Sequence, residues 1–504
     1  MKNLFELLAE VNYHRLTGAP DVWISGVAYD SRKVEAGNLF ACVPGQRTDG
    51  HLYISDAIQR GAAAILAQSG RLPEGQGVGA VTLVEVEDVR SALAAVSDAF
   101  YGRPSRHLCL IGITGTNGKT TTSYLTEAIL RQAGYTTGVI GTLGYQVGDD
   151  VLPASHTTPE APDLQALLQG MVAAGVTHAA MEVSSHALAL HRADHCAFSF
   201  AVFTNLTRDH LDFHADARDY FEAKARLFHD PVFFPRDRLR INIINADDAY
   251  GRALAERAVG LAVTYGIEGR GDVMARDVAL STQSTSFRVE APQGVLPVNL
   301  QLVGSFNVYN ALAALAVALG LGVELDKAVA ALESVPPIRG RFERVEAGQE
   351  CAVVVDYSHT PDGLEKALRD ARRLVSGRLL VVFGAGGDRD PGKRPIMGEI
   401  AARLADLVFV TSDNPRSEPP ESIIRQIMAG VPWASRRRCR VEPDRRQAIR
   451  MALDEARHED LIVIAGKGHE TYQIFADRTI HFDDREVVTE IVAERLAKRG
   501  GKIA

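Results

Sequence analysis

From residue 24 to about residue 99, short apolar segments alternate with stretches of helical pattern. The apolar segments, each long enough for one strand, are NLFACV, AAAILA and VTLVEV. Such alternation is typical of an α/β unit. It stops at Tyr-Gly-Arg-Pro, residues 101–104, where glycine and proline interrupt regular structure. The pattern predicts a small N-terminal α/β domain over residues 1–104.

A second unit begins with the apolar strand HLCLIGIT, which turns through glycines into the helical segment KTTTSYLTEAILRQAG. This order is typical of the start of a doubly wound sheet. Further strands are predicted at 177–183, 198–204 and 241–245, and a helix at 305–320. Because consecutive prolines cannot continue a helix, Pro336-Pro337 ends the unit. We predict a central domain over residues 105–336.

The last third of the chain repeats the alternation of apolar strands and amphipathic helices. Its predicted strands are CAVVVDY, RLLVVFG, DLVFVTS and LIVIAG. They predict a separate, Rossmann-like α/β domain over residues 337–504. A chain of 504 residues exceeds what one hydrophobic core usually organises, which agrees with three α/β domains.

Composition and charge narrow the functional classes. The hydrophobic fraction of 46% and the charged fraction of 23% are those of a globular protein rather than a disordered chain. The net charge of −8 argues against a general nucleic-acid surface, so we expect no nucleic-acid partner. One basic run, Arg436–Arg438 with Arg440, is interpreted as a solvated face.

Cysteines and the N-terminus bear on the compartment. The five cysteines are far apart and form no CxxC pair, so neither a disulfide framework nor a zinc site is indicated. Glu6 and Glu10 interrupt the apolar stretch that a signal peptide needs, and no later segment approaches a membrane span. We expect a cytoplasmic monomer that is not embedded in a membrane.

The strongest motif is GTNGKT, placed between the strand and the helix that open the central domain. Its backbone N–H groups and the helix N-terminus can face phosphate oxygens, while Lys119 supplies charge and the Thr120 hydroxyl can bind magnesium. The loop is a variant, because Ile113 stands where the general pattern has glycine. A turn that only joins strand to helix would not need Lys-Thr. The predicted ATP-binding residues are Gly115, Thr116, Asn117, Gly118, Lys119, Thr120 and Thr121.

A second glycine-rich stretch, GAGGDR, follows the strand LLVVF. It resembles a dinucleotide fingerprint, but Arg389 stands where close helix packing requires a small residue. A nicotinamide cofactor is therefore not expected.

Candidate metal ligands follow two other strands of the central domain. Glu182 ends one strand, and the segment TRDHLDFH follows another, so both are predicted at the same edge of the sheet. His210 and His214 have the spacing of zinc ligands on one helical face, but the glutamate of a zinc hydrolase is missing. Magnesium is the better interpretation.

Ten segments, in this order, resemble the Mur ligase family over nearly the whole chain. They are GTNGKTT, EVSSH, TRDHLDFH, AKARLF, GSFNVYNALAA, RGRFE, DYSHTPDGL, GAGGDRDPGKRP, SDNPR and AGKGHE. The resemblance is greatest to members that add meso-2,6-diaminopimelate to UDP-N-acetylmuramoyl-L-alanyl-D-glutamate in peptidoglycan precursor synthesis. It implies that ATP phosphorylates the D-glutamate side-chain carboxylate and that the amine of diaminopimelate attacks the acyl phosphate. A carboxylate is a poor electrophile until one oxygen becomes a leaving group, and the developing charge needs magnesium and cations.

The resemblance also implies roles for individual residues. Catalysis would involve Lys119, Glu182, His210 and Lys224, with Lys224 carbamylated, and Mg²⁺ would be held by Thr120, Glu182, His210 and Lys224. ATP would also contact Asn307, Arg341, Asp356 and His359. The UDP-sugar-peptide would contact Ser31, Gln46, Arg47, Thr48, Thr157, Thr158, Ser184 and Arg192. Leu190 stands where some relatives carry glutamine, so that contact is not carried over.

The choice of diaminopimelate rests on one extra carboxylate, which distinguishes it from lysine. Arg389 and Arg416 offer two guanidinium forks for a carboxylate, and Glu470 can pair with an ammonium. The implied site comprises Arg389, Asp413, Asn414, Pro415, Arg416, Gly466 and Glu470.

Two alternatives remain open from the residues. A folylpolyglutamate synthetase of the same superfamily would share the loop and the acyl-phosphate chemistry, but the first domain and the DNPR segment disfavour it. A P-loop switch or transport ATPase would bind nucleotide to change partners, and it would not need DYSHTPDGL or the third-domain arginines.

Overall fold

Three α/β units, each with its own sheet, make up the fold. The computed structural model describes residues 1–19, 21–45, 48–72, 78–234 and 239–500. The expectation of a three-domain α/β chain is confirmed. The exact boundaries after residues 104 and 336 stay predictions.

The first unit is built on a five-stranded sheet in the order β2-β7-β6-β5-β4. Strands β4 to β7 are parallel, and β2 is antiparallel at one edge. Its strands are Lys2–Asn3 (β1), Tyr13–Thr17 (β2), Trp23–Ile24 (β3), Gly26–Ala28 (β4), Asn38–Ala41 (β5), Ala64–Gln68 (β6) and Thr82–Val86 (β7). Its α-helices are Leu4–Leu7 (α1), Ile54–Gln59 (α2) and Val89–Phe100 (α3).

The central unit contains an eleven-stranded sheet in the order β11-β10-β9-β12-β8-β13-β14-β15-β16-β17-β18. Its strands are Cys109–Thr114 (β8), Thr137–Gly141 (β9), Gly144–Val147 (β10), Asp150–Leu152 (β11), His178–Glu182 (β12), Phe198–Phe203 (β13), Ile241–Asn245 (β14), Leu261–Gly266 (β15), Val273–Leu280 (β16), Thr285–Ala291 (β17) and Gly294–Leu300 (β18). Its α-helices are Lys119–Gln132 (α4), Ala161–Ala173 (α5), Ser185–Ala189 (α6), Ala217–His229 (α7), Ala249–Ala255 (α8), Ser305–Gly320 (α9) and Leu325–Ser334 (α10).

The third unit contains a six-stranded sheet in the order β19-β20-β24-β21-β22-β23. Its strands are Glu343–Arg344 (β19), Ala352–Asp356 (β20), Leu379–Phe383 (β21), Leu407–Val410 (β22), Cys439–Val441 (β23) and Leu461–Ala465 (β24), and Tyr472–Ile474 (β25) pairs with Thr479–His481 (β26). Its α-helices are Pro361–Leu374 (α11), Lys393–Leu404 (α12), Pro420–Ala429 (α13), Arg445–Glu455 (α14) and Asp484–Gly500 (α15).

The central sheet has an apolar cluster on each face. Successive side chains of β8 alternate, so Ile111 and Ile113 join one cluster with α9, while Leu110 joins the other. Burial of both faces requires strands that are apolar at nearly every position, and HLCLIGIT has this composition. The core therefore fixes the carboxyl ends of β8, β12, β13 and β14 at one edge of the sheet.

Candidate functional site

Two glycines shape the loop between β8 and α4. Gly115 has φ +146° and Gly118 has φ +89°. A Cβ atom on Gly115 would lie 1.9 Å from the Thr204 hydroxyl oxygen, and one on Gly118 would lie 2.4 Å from Oδ1 of Asn310. Neighbouring side chains thus approach the loop too closely for any other residue. The loop leads into the N-terminus of α4, a favourable place for phosphate.

Lys119, the first residue of α4, folds back over this loop. Its Nζ donates to the carbonyl oxygens of Gly115 and Thr116, each at 2.9 Å. Burial lowers the pKa of Lys119, while the nearby Glu182 carboxylate opposes that shift. The lysine is half-buried and lines the larger of two cavities at the loop. It presents a cation where a triphosphate would end.

Three side chains meet at the start of α4. The Thr120 hydroxyl donates to Oε2 of Glu182 at 3.0 Å, and Nη2 of Arg341 donates to Thr120 Oγ1 at 2.9 Å. Glu182 is only 1% exposed at the carboxyl end of β12, and the Thr142 N–H donates to its Oε1 at 2.9 Å. Residues predicted to bind metal and nucleotide are therefore in direct contact, although Arg341 comes from the start of the third unit.

The segment around His210 is a turn, since α7 begins only at Ala217. His210 and His214 therefore do not share a helical face despite their spacing, because His210 has φ +55° and interrupts any helical path. Burial lowers the pKa of His210 to about 3, so its ring is neutral at pH 7. Burial raises the pKa of Asp209, but at the low pH where this carboxyl titrates the protonated rings of His210 and His359, together with Lys393, outweigh burial and hold the pKa below its usual range.

Lys224 lies inside the molecule on α7 and is 1% exposed. Its Nζ donates to the Gly115 carbonyl at 2.9 Å and lies 4.6 Å from the Tyr220 ring centre. Burial, together with the charge of Lys119, lowers its pKa well below that of an ordinary lysine. An exposed helix lysine, which the residue pattern alone would suggest, is excluded by this position.

A smaller cavity of about 290 Å³ lies beside the loop. The predicted nucleotide contacts Asn117, Gly118, Thr121, Arg341 and Asp356 line it. Asn307 does not, because its amide is buried and donates to the Val303 carbonyl at 2.9 Å. Sequence reasoning missed several lining residues, namely Asn205, Asn245, Asp248, Tyr309, Asn310 and Lys366. Asn245 could have been found, since it ends a predicted strand at the functional edge.

A larger cavity of about 1130 Å³ extends from the first unit to the third. Among the residues predicted for the sugar-peptide, Thr48, Thr157, Thr158, Ser184 and Arg192 line it. Ser31 is buried in the first unit and does not figure among the described residues that line it. Gln46 and Arg47 lie outside the described residues. Leu190, which stands where some relatives carry glutamine, also lines the cavity.

Arg90 was missed by the sequence analysis and lines the larger cavity. Its Nη1 lies 3.3 Å from Oε2 of Glu160, while Nη2 of Arg192 lies 2.9 Å from Oε1 of the same carboxylate. This ion triad joins the first unit to the central unit at the cavity wall.

The residues predicted for diaminopimelate lie at the carboxyl ends of β22 and β24. Nδ2 of Asn414 donates to Oε2 of Glu470 at 2.7 Å, and a Cβ on Gly466 would lie 2.4 Å from Oδ2 of Asp413. Nζ of Lys467, which had no predicted role, lies 3.0 Å from the Glu470 carboxylate. The structure therefore brings Asp413, Asn414, Gly466 and Glu470 together.

The two arginines of this region lie beside the glycine-rich stretch. Nη1 of Arg416 donates to the Gly387 carbonyl at 2.8 Å, and Nη1 of Arg389 donates to the Asp388 carbonyl at 3.0 Å. Pro415 packs against Gly387, whose Cβ would lie 1.8 Å from the Pro415 carbonyl oxygen. Arg389 lines the larger cavity. The glycines of GAGGDR thus let Arg416 approach closely, since a Cβ on Gly386 would lie 2.9 Å from its Nη1.

Within the described residues, neither a ready-made cluster of metal ligands nor a membrane-spanning helix is present. Among residues 1–19, 21–45, 48–72, 78–234 and 239–500, no group of three or more His, Cys, Asp or Glu side chains could by itself hold a metal ion. None of the helices in those ranges is long and apolar enough to span a bilayer.

Three family models match successive parts of the chain. They describe the Mur ligase family catalytic domain at residues 23–101, the Mur ligase middle domain at 113–318, and the Mur ligase glutamate ligase domain at 340–468. Together they follow the order of the three units in the fold.

Relatives of similar length also carry the names of Mur ligases. A protein from Caldanaerobacter subterraneus subsp. tengcongensis, named UDP-N-acetylmuramoyl-L-alanyl-D-glutamate--2,6-diaminopimelate ligase, is 46% identical over 97% of this chain and 99% of its own. One of the same name from Geobacillus kaustophilus is 46% identical over 95% of this chain and 96% of its own. A solved structure with that name has a TM-score of 0.67 at 33% identity, covering 98% of this chain and 99% of its own. By its three domains and these relatives, the chain belongs to the Mur ligase family.

Proposed function

We propose that the protein adds meso-2,6-diaminopimelate to UDP-N-acetylmuramoyl-L-alanyl-D-glutamate with cleavage of ATP to ADP and phosphate. The names of full-length relatives at 46% identity support this reaction. ATP transfers its terminal phosphoryl group to the D-glutamate side-chain carboxylate, releasing ADP. The amine of diaminopimelate then forms the amide bond and phosphate leaves with both electrons of the broken carbon–oxygen bond.

The two cavities meet at the phosphate loop. Asn117, Gly118 and Arg341 line both the smaller and the larger cavity, so the phosphate loop lies between them. A nucleotide in the smaller cavity would place its terminal phosphate at the wall of the larger one. An acceptor in the larger cavity, which reaches from Thr48 to Arg389, would meet that phosphate at the loop. This arrangement suits transfer between two substrates better than hydrolysis alone.

Residues at the loop would stabilise the charge of the transferring group. Lys119 and Arg341 supply cations, and the N-terminus of α4 supplies unpaired N–H groups. The hydroxyl of Thr120 and the carboxylate of Glu182 are oxygen donors 3.0 Å apart, a pair that fits Mg²⁺. Mg²⁺, when bound, would neutralise phosphate charge. His210, neutral and able to donate a nitrogen lone pair, is a further candidate on the same cavity wall.

Carbamylation of Lys224 is part of the proposal. The lowered pKa of the buried Lys224 favours the neutral amine, and a neutral amine can attack carbon dioxide to give a carbamate and a proton. The product carries carboxylate-like oxygens in place of an ammonium. It would place anionic oxygens for a second cation close to the Gly115 carbonyl.

The third unit would select the amino acid. The guanidinium groups of Arg389 and Arg416 can bind the distal carboxylate of diaminopimelate. Asp413 and Glu470 can pair with its ammonium, and Asn414 holds Glu470 in place at 2.7 Å. Asp413 has a buried carboxylate oxygen, Oδ2, with no hydrogen-bond partner among the described residues, which leaves it free for a ligand.

The first unit would hold the UDP end of the acceptor. Ser31 and Thr48 belong to it, with Gln46 and Arg47 as further predicted contacts, while Arg192 would hold the sugar-peptide part. We place the reaction in the reducing cytoplasm, in keeping with five cysteines that are far apart in the sequence and form no CxxC pair, and expect a monomer.

A substrate matrix tests the function. ADP release is measured with ATP and Mg²⁺, with or without the UDP-sugar dipeptide, and with or without an amino acid. We expect rapid release only when the dipeptide and diaminopimelate are both present. Release that needs neither would support a switch or transport ATPase, and release with a folate acceptor would support a folylpolyglutamate synthetase. Lys119→Ala should abolish the signal.

A further inference from the structure

The basic run that the reaction does not use lies on an exposed turn of the third unit. The 3₁₀ helix Trp433–Arg438 has no buried residue, and Trp433 is 83% exposed. Residues 422–441 contain five arginines and no acidic residue, in a chain whose net charge is −8. We call Pro432 to Arg437 the Trp433 tip. Such an exposed indole beside concentrated positive charge is unusual for a surface that meets only water.

One arginine of the tip lies beside the indole, and the next arginine along the chain is also exposed. The guanidinium carbon of Arg436 lies 5.4 Å from the Trp433 ring centre. Arg436 and Arg437 are exposed, while Arg438 anchors the turn by donating to the Ala402 and Ala405 carbonyls at 2.9 and 3.0 Å. The Arg438 side chain therefore holds the tip against the C-terminal end of α12. The charges of Arg436 and Arg437 remain exposed to a partner.

We propose that the Trp433 tip docks the enzyme on the surface of a bilayer rich in anionic phospholipid. Tryptophan is favoured where an apolar interior meets a wet, charged layer, and each nearby arginine adds attraction to anionic headgroups. Pro432 and Ala434, exposed on either side of the indole, extend the apolar part. A nucleic acid would also be attracted by the positive charge. It would, however, need a longer basic surface, and its binding would not explain the exposed apolar side chains around Trp433.

Docking at this place leaves the catalytic site open. The tip leads into Cys439 at the start of β23, which is parallel to β22 at the edge of the sheet. It thus lies at the amino ends of these strands. The proposed diaminopimelate site follows their carboxyl ends, at Asp413 to Arg416. The enzyme can therefore rest on a membrane surface while its substrates enter from the opposite side.

The chain contains two tryptophans, which makes the test specific. In the full-length Trp23→Phe variant, Trp433 alone reports by its emission. Vesicles of phosphatidylcholine alone are compared with vesicles of equal parts phosphatidylcholine and phosphatidylglycerol. We expect emission to shift to shorter wavelength, and protein to co-sediment, only with the anionic vesicles, and both signals to weaken with added salt.

Two variants and one control complete the experiment. Arg436→Glu with Arg437→Glu, and separately Trp433→Ala, should each lower co-sedimentation by about 10-fold or more while ADP release stays normal. Arg60→Glu, which reverses an exposed arginine of the first unit, should change neither. The proposal is overturned if zwitterionic vesicles bind equally, if the tip variants bind as well as the parent, or if polyuridylate or polyglutamate shifts the emission and anionic vesicles do not.

Discussion

At the residue scale, the two lysines of the site share a hydrogen-bond partner but differ in how exposed they are. Lys119 is half-buried at the mouth of the larger cavity, and Lys224 lies behind the loop with the same Gly115 carbonyl as partner. The motif GTNGKT predicted the first of these from spacing alone. Nothing in the residues around Lys224 separates it from an exposed helix lysine, so only the family resemblance pointed to it.

Lys224→Ala should lower the rate of ligation by about 100-fold or more, because the anionic oxygens of the carbamate would be lost from the charge-stabilising site. Formate, acetate or propionate should restore part of the activity by entering the space. Steady-state ADP release with both acceptor and diaminopimelate measures this. Lys327→Ala, at an exposed helical lysine, is the matched control. Absence of rescue by every carboxylate would count against carbamylation.

Arg416 is the residue that best separates diaminopimelate from lysine. Hydrogen bonds to a charged group contribute about 1.5–3 kcal/mol, so Arg416→Ala should lower kcat/KM for diaminopimelate by about 10–150-fold. Binding of ATP should persist, since Arg416 is remote from the phosphate loop in the chain and contacts Gly387 instead. Arg425→Ala, at an exposed arginine of α13, controls for lost surface charge. Unchanged selectivity over L-lysine in Arg416→Ala would refute the assignment.

At the element scale, hydrophobic pattern predicted what lies inside the sheets. The predicted strands at 198–204 and 241–245 are β13 and β14, and the predicted helix at 305–320 is α9. These segments are buried on both sides or pack a full apolar face, so their pattern is strong. The antiparallel strands β16 to β18 were not predicted, because their joining to the central sheet depends on contacts distant in sequence.

Gly118 of the phosphate loop has a left-handed backbone and little space for a side chain. Gly118→Ala should weaken ADP binding and lower thermal stability, because it adds a Cβ 2.4 Å from Asn310 Oδ1 to a backbone at φ +89°. The backbone part alone costs about 1–3 kcal/mol. Gly322→Ala has a similar φ of +82° with no atom within 4 Å of its Cβ.

Thermal unfolding with and without ADP compares the two variants. The Gly322→Ala enzyme should lose stability but retain the shift that ADP produces, whereas Gly118→Ala should lose both. Equal shifts with ADP in the two variants would show that the loop tolerates the added carbon.

At the scale of the whole molecule, the site is assembled from residues that no local pattern connects. Arg341 reaches Thr120 from the third unit at 2.9 Å, Nδ2 of Asn117 donates to Asp362 at 3.1 Å, and the Tyr29 hydroxyl donates to Asp163 at 2.6 Å. The sequence and the family resemblance proposed individual site residues but not these contacts between them. Contacts between distant segments depend on how the units pack, which periodicity does not encode.

In the proposed reaction, the side-chain carboxylate of the acceptor receives the phosphoryl group of ATP. The most direct test uses UDP-N-acetylmuramoyl-L-alanyl-D-glutamate labelled with ¹⁸O in its side-chain carboxylate, together with ATP and diaminopimelate. The phosphate released is analysed for isotope by mass spectrometry or ³¹P NMR. Each phosphate formed should carry one ¹⁸O atom, because the bridging oxygen of the acyl phosphate comes from the labelled carboxylate and leaves with phosphorus. Unlabelled phosphate alongside normal amide formation would contradict it.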